Sequence, residues 1–353
     1  MNIGEARAAA RDWVHRVGRT TEGYLGAYLS GSTTALAGHS ELPVGTDVDI
    51  MLITQQPPAG LKPGKFLHRG ALLEVTDLAR EAITPADRAL GNYHLAHGLD
   101  RGLILDDPTG ELHRLHQEVA AKFADPEQVR RRCTGIRDKI DAALGALDAG
   151  APWYDQVTSW LFPTGITTHL LLVAGLRNPT VRLRYLRTRQ LLTELGLTDH
   201  YPTLLRQLGC EELTRERAAH HADRLAATFD ATAAVARTSF FFSSDITPAA
   251  RPIAIDASRE LVRRGDHREI VFWLVATFAR CHKILAADDP ALHEELAPAF
   301  SDLLADLGIL DSEDLRRRGE ATRACLPELW KVAEDVMSAA VPGYDGDGRD
   351  THP

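Results

Sequence analysis

The feature that most constrains this chain is a change of texture near residue 120. Before it, short β-type runs alternate with turns. After Asp125, segments rich in Ala, Leu, Arg and Glu follow one another with helical spacing as far as residue 339. A chain of 353 residues carries a prior of two domains. The pattern predicts an α+β protein: a small mixed sheet with helices over residues 1–120, then an all-α helical bundle over 121–342. The tail 343–353 (GYDGDGRDTHP) is expected to be disordered.

Within the first part, residues 5–19 read as an amphipathic helix with Ala8, Trp13, Val14 and Val17 on its apolar side. Tyr24–Gly31 is a β-type run ended by glycine. Asp47–Thr54 (DVDIMLIT) alternates and then becomes continuously apolar, as a largely buried strand does. Gln55–Gly64 is a loop, strand character returns at ALLEVTDL within Lys65–Leu78, and Gly102–Leu105 offers one more short strand. A helix is predicted from about Thr109. Later helices are predicted at 130–148, 156–176, 181–195, 214–238, 256–264, 267–287, 291–307 and 312–339.

Charge bears on partners. The chain has 40 Lys+Arg against 49 Asp+Glu, a net charge of −9. That argues against a broad grip on nucleic acid, which needs a basic face, but is compatible with one nucleotide held through a metal ion. Cys133, Cys210, Cys281 and Cys325 are scattered without a CxxC pair, which suits a reducing compartment. The N-terminus has charges throughout and no apolar core of a signal peptide. No apolar run is expected to reach the roughly 18 residues of a membrane span, the longest lying around His169–Leu176. The expectation is a soluble, cytoplasmic protein without membrane contact.

The chemistry concentrates in Leu29–Thr54 (LSGSTTALAGHSELPVGTDVDIMLIT). Gly31-Ser32 ends a strand and opens a helix predicted over Thr33–Gly38, a corner whose free N–H groups suit a phosphate. Asp47 and Asp49 lie two apart on a strand, so their carboxylates share one face. Like charges on an apolar strand resist burial unless a cation sits between them. A hard divalent ion, Mg²⁺ most naturally, would be held by the pair together with substrate phosphates. Glu74, an acid in an apolar strand, can stand beside them. Each feature alone has a plainer explanation: a turn, a solvated acid pair, an edge residue or a partner for arginine. Their order and spacing together point to a site.

These residues resemble the nucleotidyltransferases of the DNA polymerase β-like superfamily, in which G-S precedes D-x-D in a strand and an acid follows in a later strand. The small-molecule branch is most similar. Leu73-Glu74-Val75-Thr76 resembles the third-acid segment of streptomycin/spectinomycin adenylyltransferases. The stretch from Gly91-Asn92-Tyr93-His94-Leu95 to Asp106-Asp107-Pro108-Thr109-Gly110 is similar to the end of their catalytic domain. The likeness covers about residues 25–120, and the helical remainder is longer than the family's second domain. The fourteen residues between Ser32 and Asp47 also exceed the family's usual spacing, and GHSELPVG is expected to loop out.

The resemblance implies a polymerase β-like catalytic domain and a helical domain closing over the substrates. It implies transfer of a nucleoside monophosphate from an NTP to a hydroxyl of a small molecule, with release of pyrophosphate. AMP from ATP is the expected case, although the residues do not choose among ATP, GTP, CTP and UTP. Asp47, Asp49 and Glu74 would hold one or two Mg²⁺ ions. Glu74 would ligate the second or act as general base, and Gly31 and Ser32 would hold the outer phosphates. An aminoglycoside-like or other natural-product acceptor is expected. The rival readings are transfer to a protein or tRNA, as in toxin–antitoxin systems, and a non-catalytic nucleotide-binding protein. No feature indicates an oligomeric state.

Other candidates carry two readings each. Glu269, Trp273, Arg280 and Lys283 form one stripe of the helix predicted at 267–287; Arg280 and Lys283 either neutralise phosphates or edge a surface helix. Phe240-Phe241-Phe242 cannot all face one core, so one can line a pocket. Trp153, Tyr154, Asp155 and Trp160 are an acceptor pocket or ordinary packing. The pairs His94/His97 and His113/His116 have ligand spacing without a third ligand, so structural or surface roles are expected. Arg130-Arg131-Arg132 reads as a solvated face.

Overall fold

The computed structural model describes residues 1–56 and 60–344. The strands are β1 (Tyr24–Ser30), β2 (Val48–Thr54), β3 (Gly64–His68), β4 (Ala71–Ala79) and β5 (Leu103–Asp106). They form one mixed sheet in the order β3-β4-β2-β1-β5. β2 and β4 run parallel and the other pairs antiparallel. The parallel pair exists because the chain after β2 passes over its neighbour, lays down β3 at the edge and hairpins back. That hairpin turns on Arg69-Gly70, both at positive φ (49° and 81°), as the two central residues of a tight hairpin turn require.

Period-2 alternation gives the sheet two apolar faces. Ala27, Leu29, Val48, Ile50, Leu52, Leu73 and Val75 pack under Ala6, Ala9, Ala10, Trp13 and Val14 of the helix Ile3–Arg16. Tyr28 and Ile53 point the other way. They meet Ala89, Leu90, Leu95, Leu99, Leu112, Leu115 and Val119 from the helices Ala86–Gly91, Tyr93–Asp100 and Glu111–Lys122. Leu72 and Tyr93 belong instead to the core of the helical part, so the two parts are packed together.

That part begins with Pro126–Gly145 and ends with Ser312–Ala340. Its centre is Val271–Asp288, whose 18 residues include 13 buried ones, because apolar side chains surround the helix on every side.

Several expectations need correction. Thr33–Gly38 is not a helix; a single 3₁₀ turn, Ser32–Ala35, replaces it. The helix predicted at 156–176 is two, Trp153–Gly165 and Thr167–Ala174, broken at Ile166. Tyr201–Leu208 is a separate short helix, and the helix predicted from 267 starts at Val271. One span, Trp153–Ala174, is long and apolar enough to cross a membrane by length and composition, at mean hydropathy 1.3. Of that window 78% is buried inside the fold, as in a core helix. Of the tail expected to be disordered, residues 345–353 lie outside the described residues.

Candidate functional site

Asp47 precedes β2, Asp49 lies in it, and Glu74 stands opposite Asp49 on the parallel neighbour β4. Asp49 shares its side of the sheet with Met51 and Ile53, and Glu74 shares it with Leu78. One oxygen from each of Asp47, Asp49 and Glu74 lies within 4.8 Å of the other two. The three acids therefore converge.

Gly31 makes this possible. Ser30 pairs with Asp49 across β1 and β2, and the chain then turns at Gly31 with φ +70°. A Cβ at position 31 would lie 1.8 Å from Asp49 Oδ2. Ser32 is exposed at the start of the 3₁₀ turn. This turn is too short to sum peptide dipoles as a helix does. Its far side is capped instead by Arg7, whose guanidinium donates to the carbonyls of Thr33 at 2.5 Å and Leu36 at 2.8 Å.

The acids differ sharply in their partners. Lys62 Nζ is 2.6 Å from Glu74 Oε1, and Lys65 Nζ is 2.5 Å from Oε2. Lys65 also meets Asp245 at 2.6 Å and Asp47 at 3.3 Å. Burial pushes the Glu74 carboxyl up, but the two ammonium groups outweigh it and bring it down to about 2. Lys65 is pushed down by burial and held above its ordinary range by Asp245, Asp47 and Glu74. Asp47 is raised, mainly by burial, against the pull of Lys65. Asp49 is raised furthest, by burial and then by the charges of Asp47 and Glu74. Among the described residues no donor lies within hydrogen-bond or ion-pair distance of its carboxylate.

The helical part reaches this cluster through Asp245, which also accepts from Arg280 at 2.8 Å. Arg280 thus stands behind the acids in the order Arg280, Asp245, Lys65, Glu74. Its guanidinium lies 5.3 Å from the Trp273 ring centroid and 5.6 Å from that of Phe242. Lys283 lies further along the same helix, 2.6 Å from Asp155 and 5.9 Å from the rings of Tyr154 and Phe240. Trp160 is fully buried in the core and Phe241 is 70% exposed, so neither joins the Lys283 group. Arg182, absent from the sequence reading, donates to the carbonyl of Gly45 at 3.2 Å and feels the charge of Asp47.

The sequence analysis missed Lys62, Lys65, Asp245 and Arg182. The lysines carried a signal: they bound the loop-to-strand step KPGK that opens β3, the hairpin partner of the strand bearing Glu74. The histidine pairs hold structural places. His97 is buried, His113 pairs with Asp107, and His116 contacts the Leu99 carbonyl. A cavity of about 540 Å³ opens elsewhere, beside edge strand β5, lined by Arg7, Arg11, His113 and His116 among others. It shares no lining residue with the acid cluster. Compared with known families and with curated proteins, the chain matches no family profile and no curated sequence.

Proposed function

We propose that this chain is a divalent-cation-dependent nucleotidyltransferase with a polymerase β-like N-terminal fold. In this reading it moves a nucleoside monophosphate, AMP from ATP in the expected case, to a hydroxyl of a small molecule. The observation that carries the proposal is the convergence of Asp47, Asp49 and Glu74 within 4.8 Å, with no ion pair to Asp49 among the described residues. A site that gathers three acids and gives one of them no direct ion-pair partner among the described residues fits a cation that is not a side chain. An all-oxygen donor set of this kind suits Mg²⁺. When bound, magnesium would supply charge neutralisation and Lewis acidity at the transferred phosphoryl group.

The remaining work falls to the chain. Asp47 and Asp49 would hold the ion from the end of β2, with Gly31 keeping the space beside Asp49 clear. Ser32 would offer its exposed hydroxyl to the outer phosphates. Arg280, with Lys283 a turn away, would supply positive charge from the helical side. Glu74 is better suited to electrostatic and ligating work than to proton abstraction, because both of its oxygens already accept from ammonium groups. A base role would require Lys62 or Lys65 to withdraw. The acceptor would enter where Asp155, Tyr154 and Phe240 surround Lys283, a mixed acidic and aromatic wall that suits an amino-sugar.

The test is incubation with each α-labelled NTP, Mg²⁺ and a panel of polyol and amino-sugar acceptors. Label should appear on a small molecule with release of pyrophosphate, and Asp49→Asn should abolish it while the protein stays folded. Label on protein or RNA would move the acceptor to a macromolecule. Nucleotide binding without turnover under every condition would overturn the catalytic reading.

A further inference from the structure

A second cluster lies far from these acids in sequence and on different elements. His220 and His221 sit on the helix Arg215–Val235, and Asp302 sits on the helix Pro290–Asp306. One ligand atom from each of the three lies within 4.8 Å of the other two. His220 Nε2 is 3.4 Å from Asp302 Oδ2, and His221 Nδ1 is 3.9 Å from the same oxygen. Two ligands of one tetrahedral zinc ion stand about 3.3 Å apart, since each lies about 2.0–2.1 Å from the metal. The spacing found is therefore within a small side-chain adjustment of ligation.

The decisive group is His221, whose side chain is fully buried. Its Nε2 is 2.8 Å from Asp306 Oδ2, a contact that fixes the proton on Nε2. Nδ1 then presents a lone pair, and it has no hydrogen-bond partner. That lone pair faces the Asp302 carboxylate oxygen at 3.9 Å, two electron-rich atoms that a cation would reconcile. Asp306 occupies the place of the carboxylate that orients a metal-bound histidine through its other nitrogen. Arg217 donates to Asp306 at 2.6 Å and to Asp302 Oδ1 at 2.9 Å, fixing both carboxylates and leaving Oδ2 of Asp302 toward the histidines.

We propose that His220, His221 and Asp302 form a site for a borderline divalent cation of the zinc class. Two imidazoles and one carboxylate favour such an ion over Mg²⁺, which prefers oxygen. The fourth position opens to solvent on the exposed side of His220. Bound there, the ion ties the helix Arg215–Val235 to the helix Pro290–Asp306.

The experiment titrates Zn²⁺ alone into the full chain in excess Mg²⁺, by calorimetry and by thermal unfolding. The wild type should bind one ion at this cluster and unfold at a higher temperature with it. His220→Ala and Asp302→Asn alter side chains 48% and 43% exposed and should still fold. Each should weaken binding at least tenfold and remove the thermal shift. Asp49→Asn should keep both, which separates this site from the acid cluster. Absence of zinc binding in the wild type, or equal binding in His220→Ala and Asp302→Asn, would overturn the assignment.

Discussion

Gly31 and Asp49 occupy one space between them: the carboxylate of Asp49 fills the volume that a side chain at position 31 would need. Two penalties therefore coincide for Gly31→Ala, a left-handed backbone at φ +70° and a Cβ 1.8 Å from Oδ2. The variant should lose about 1–3 kcal/mol of stability, read by urea unfolding. Under the proposed function it should also displace Asp49 from its neighbours and lose transfer activity far beyond what the stability loss accounts for. Wild-type turnover in a folded Gly31→Ala protein would show that the position of Asp49 is immaterial.

Lys65 holds three carboxylates with a single ammonium, and only 8% of its side chain is exposed. Lys65→Met leaves Asp47, Glu74 and Asp245 facing one another with less counter-charge. The expected cost is about 3–5 kcal/mol, as for a buried ion pair broken on one side. Added Mg²⁺ should restore part of it in the variant, which differential calorimetry at fixed ionic strength can measure. Equal destabilisation with and without the ion would argue against a cation site at these acids.

Arg280 is anchored by Asp245 and surrounded by aromatic rings, so its charge is fixed in place. Under the proposed function, Arg280→Gln should raise KM for the nucleotide by about tenfold with a smaller change in kcat, the signature of ground-state binding. Steady-state kinetics with nucleotide varied at saturating acceptor would separate the two parameters. A fall in kcat alone would assign Arg280 to the chemical step.

His97 and His282 are buried, and burial brings each down to about 4. Unfolded histidine titrates near its ordinary value of 6.5, so between those pH values the unfolded chain binds the protons and the folded chain does not. Stability contributed by these rings is present above pH 6.5 and is lost as pH falls toward 4, on the order of 3 kcal/mol per ring. Urea unfolding followed from pH 7.5 to 4.5 should show the decline. Replacing His282 by Gln should reduce the proton uptake on unfolding near pH 5 by about one. An unchanged slope would mean that His282 is hydrated in the fold.

Much of the acid cluster was legible because strand periodicity is local. DVDIMLIT puts Asp47 and Asp49 on one face, and LEVT puts Glu74 on another strand's matching face. The lysines were not legible as partners, because β3 is an edge strand emerging from a loop, and its pairing with β4 depends on a hairpin register set at Arg69-Gly70. Asp245 lies 180 residues from Lys65, and no periodicity reports a contact at that separation. The helical text after residue 125 showed where helices are. It did not show that Val271–Asp288 is enclosed on all sides, which depends on the neighbours. The break at Ile166 falls within Pro163-Thr164-Gly165-Ile166-Thr167, where the proline and glycine were a turn signal that the long run of helix-like text around them masked. His220-His221 was not singled out in the sequence, because two adjacent histidines have no third ligand nearby. That ligand arrives from another helix, 81 residues further along the chain.

Lys65 has a consequence for how the two ends of this molecule communicate. Its ammonium is at once the counter-charge of the sheet's acids and a strut to Asp245 on the helical side. An ion that satisfies Asp47 and Glu74 leaves less holding Lys65 toward the sheet, so filling the acids and tightening that strut draw on the same carboxylates. By reciprocity, whatever presses the helical side down onto the sheet must weaken ion affinity by the same factor that the ion weakens the strut.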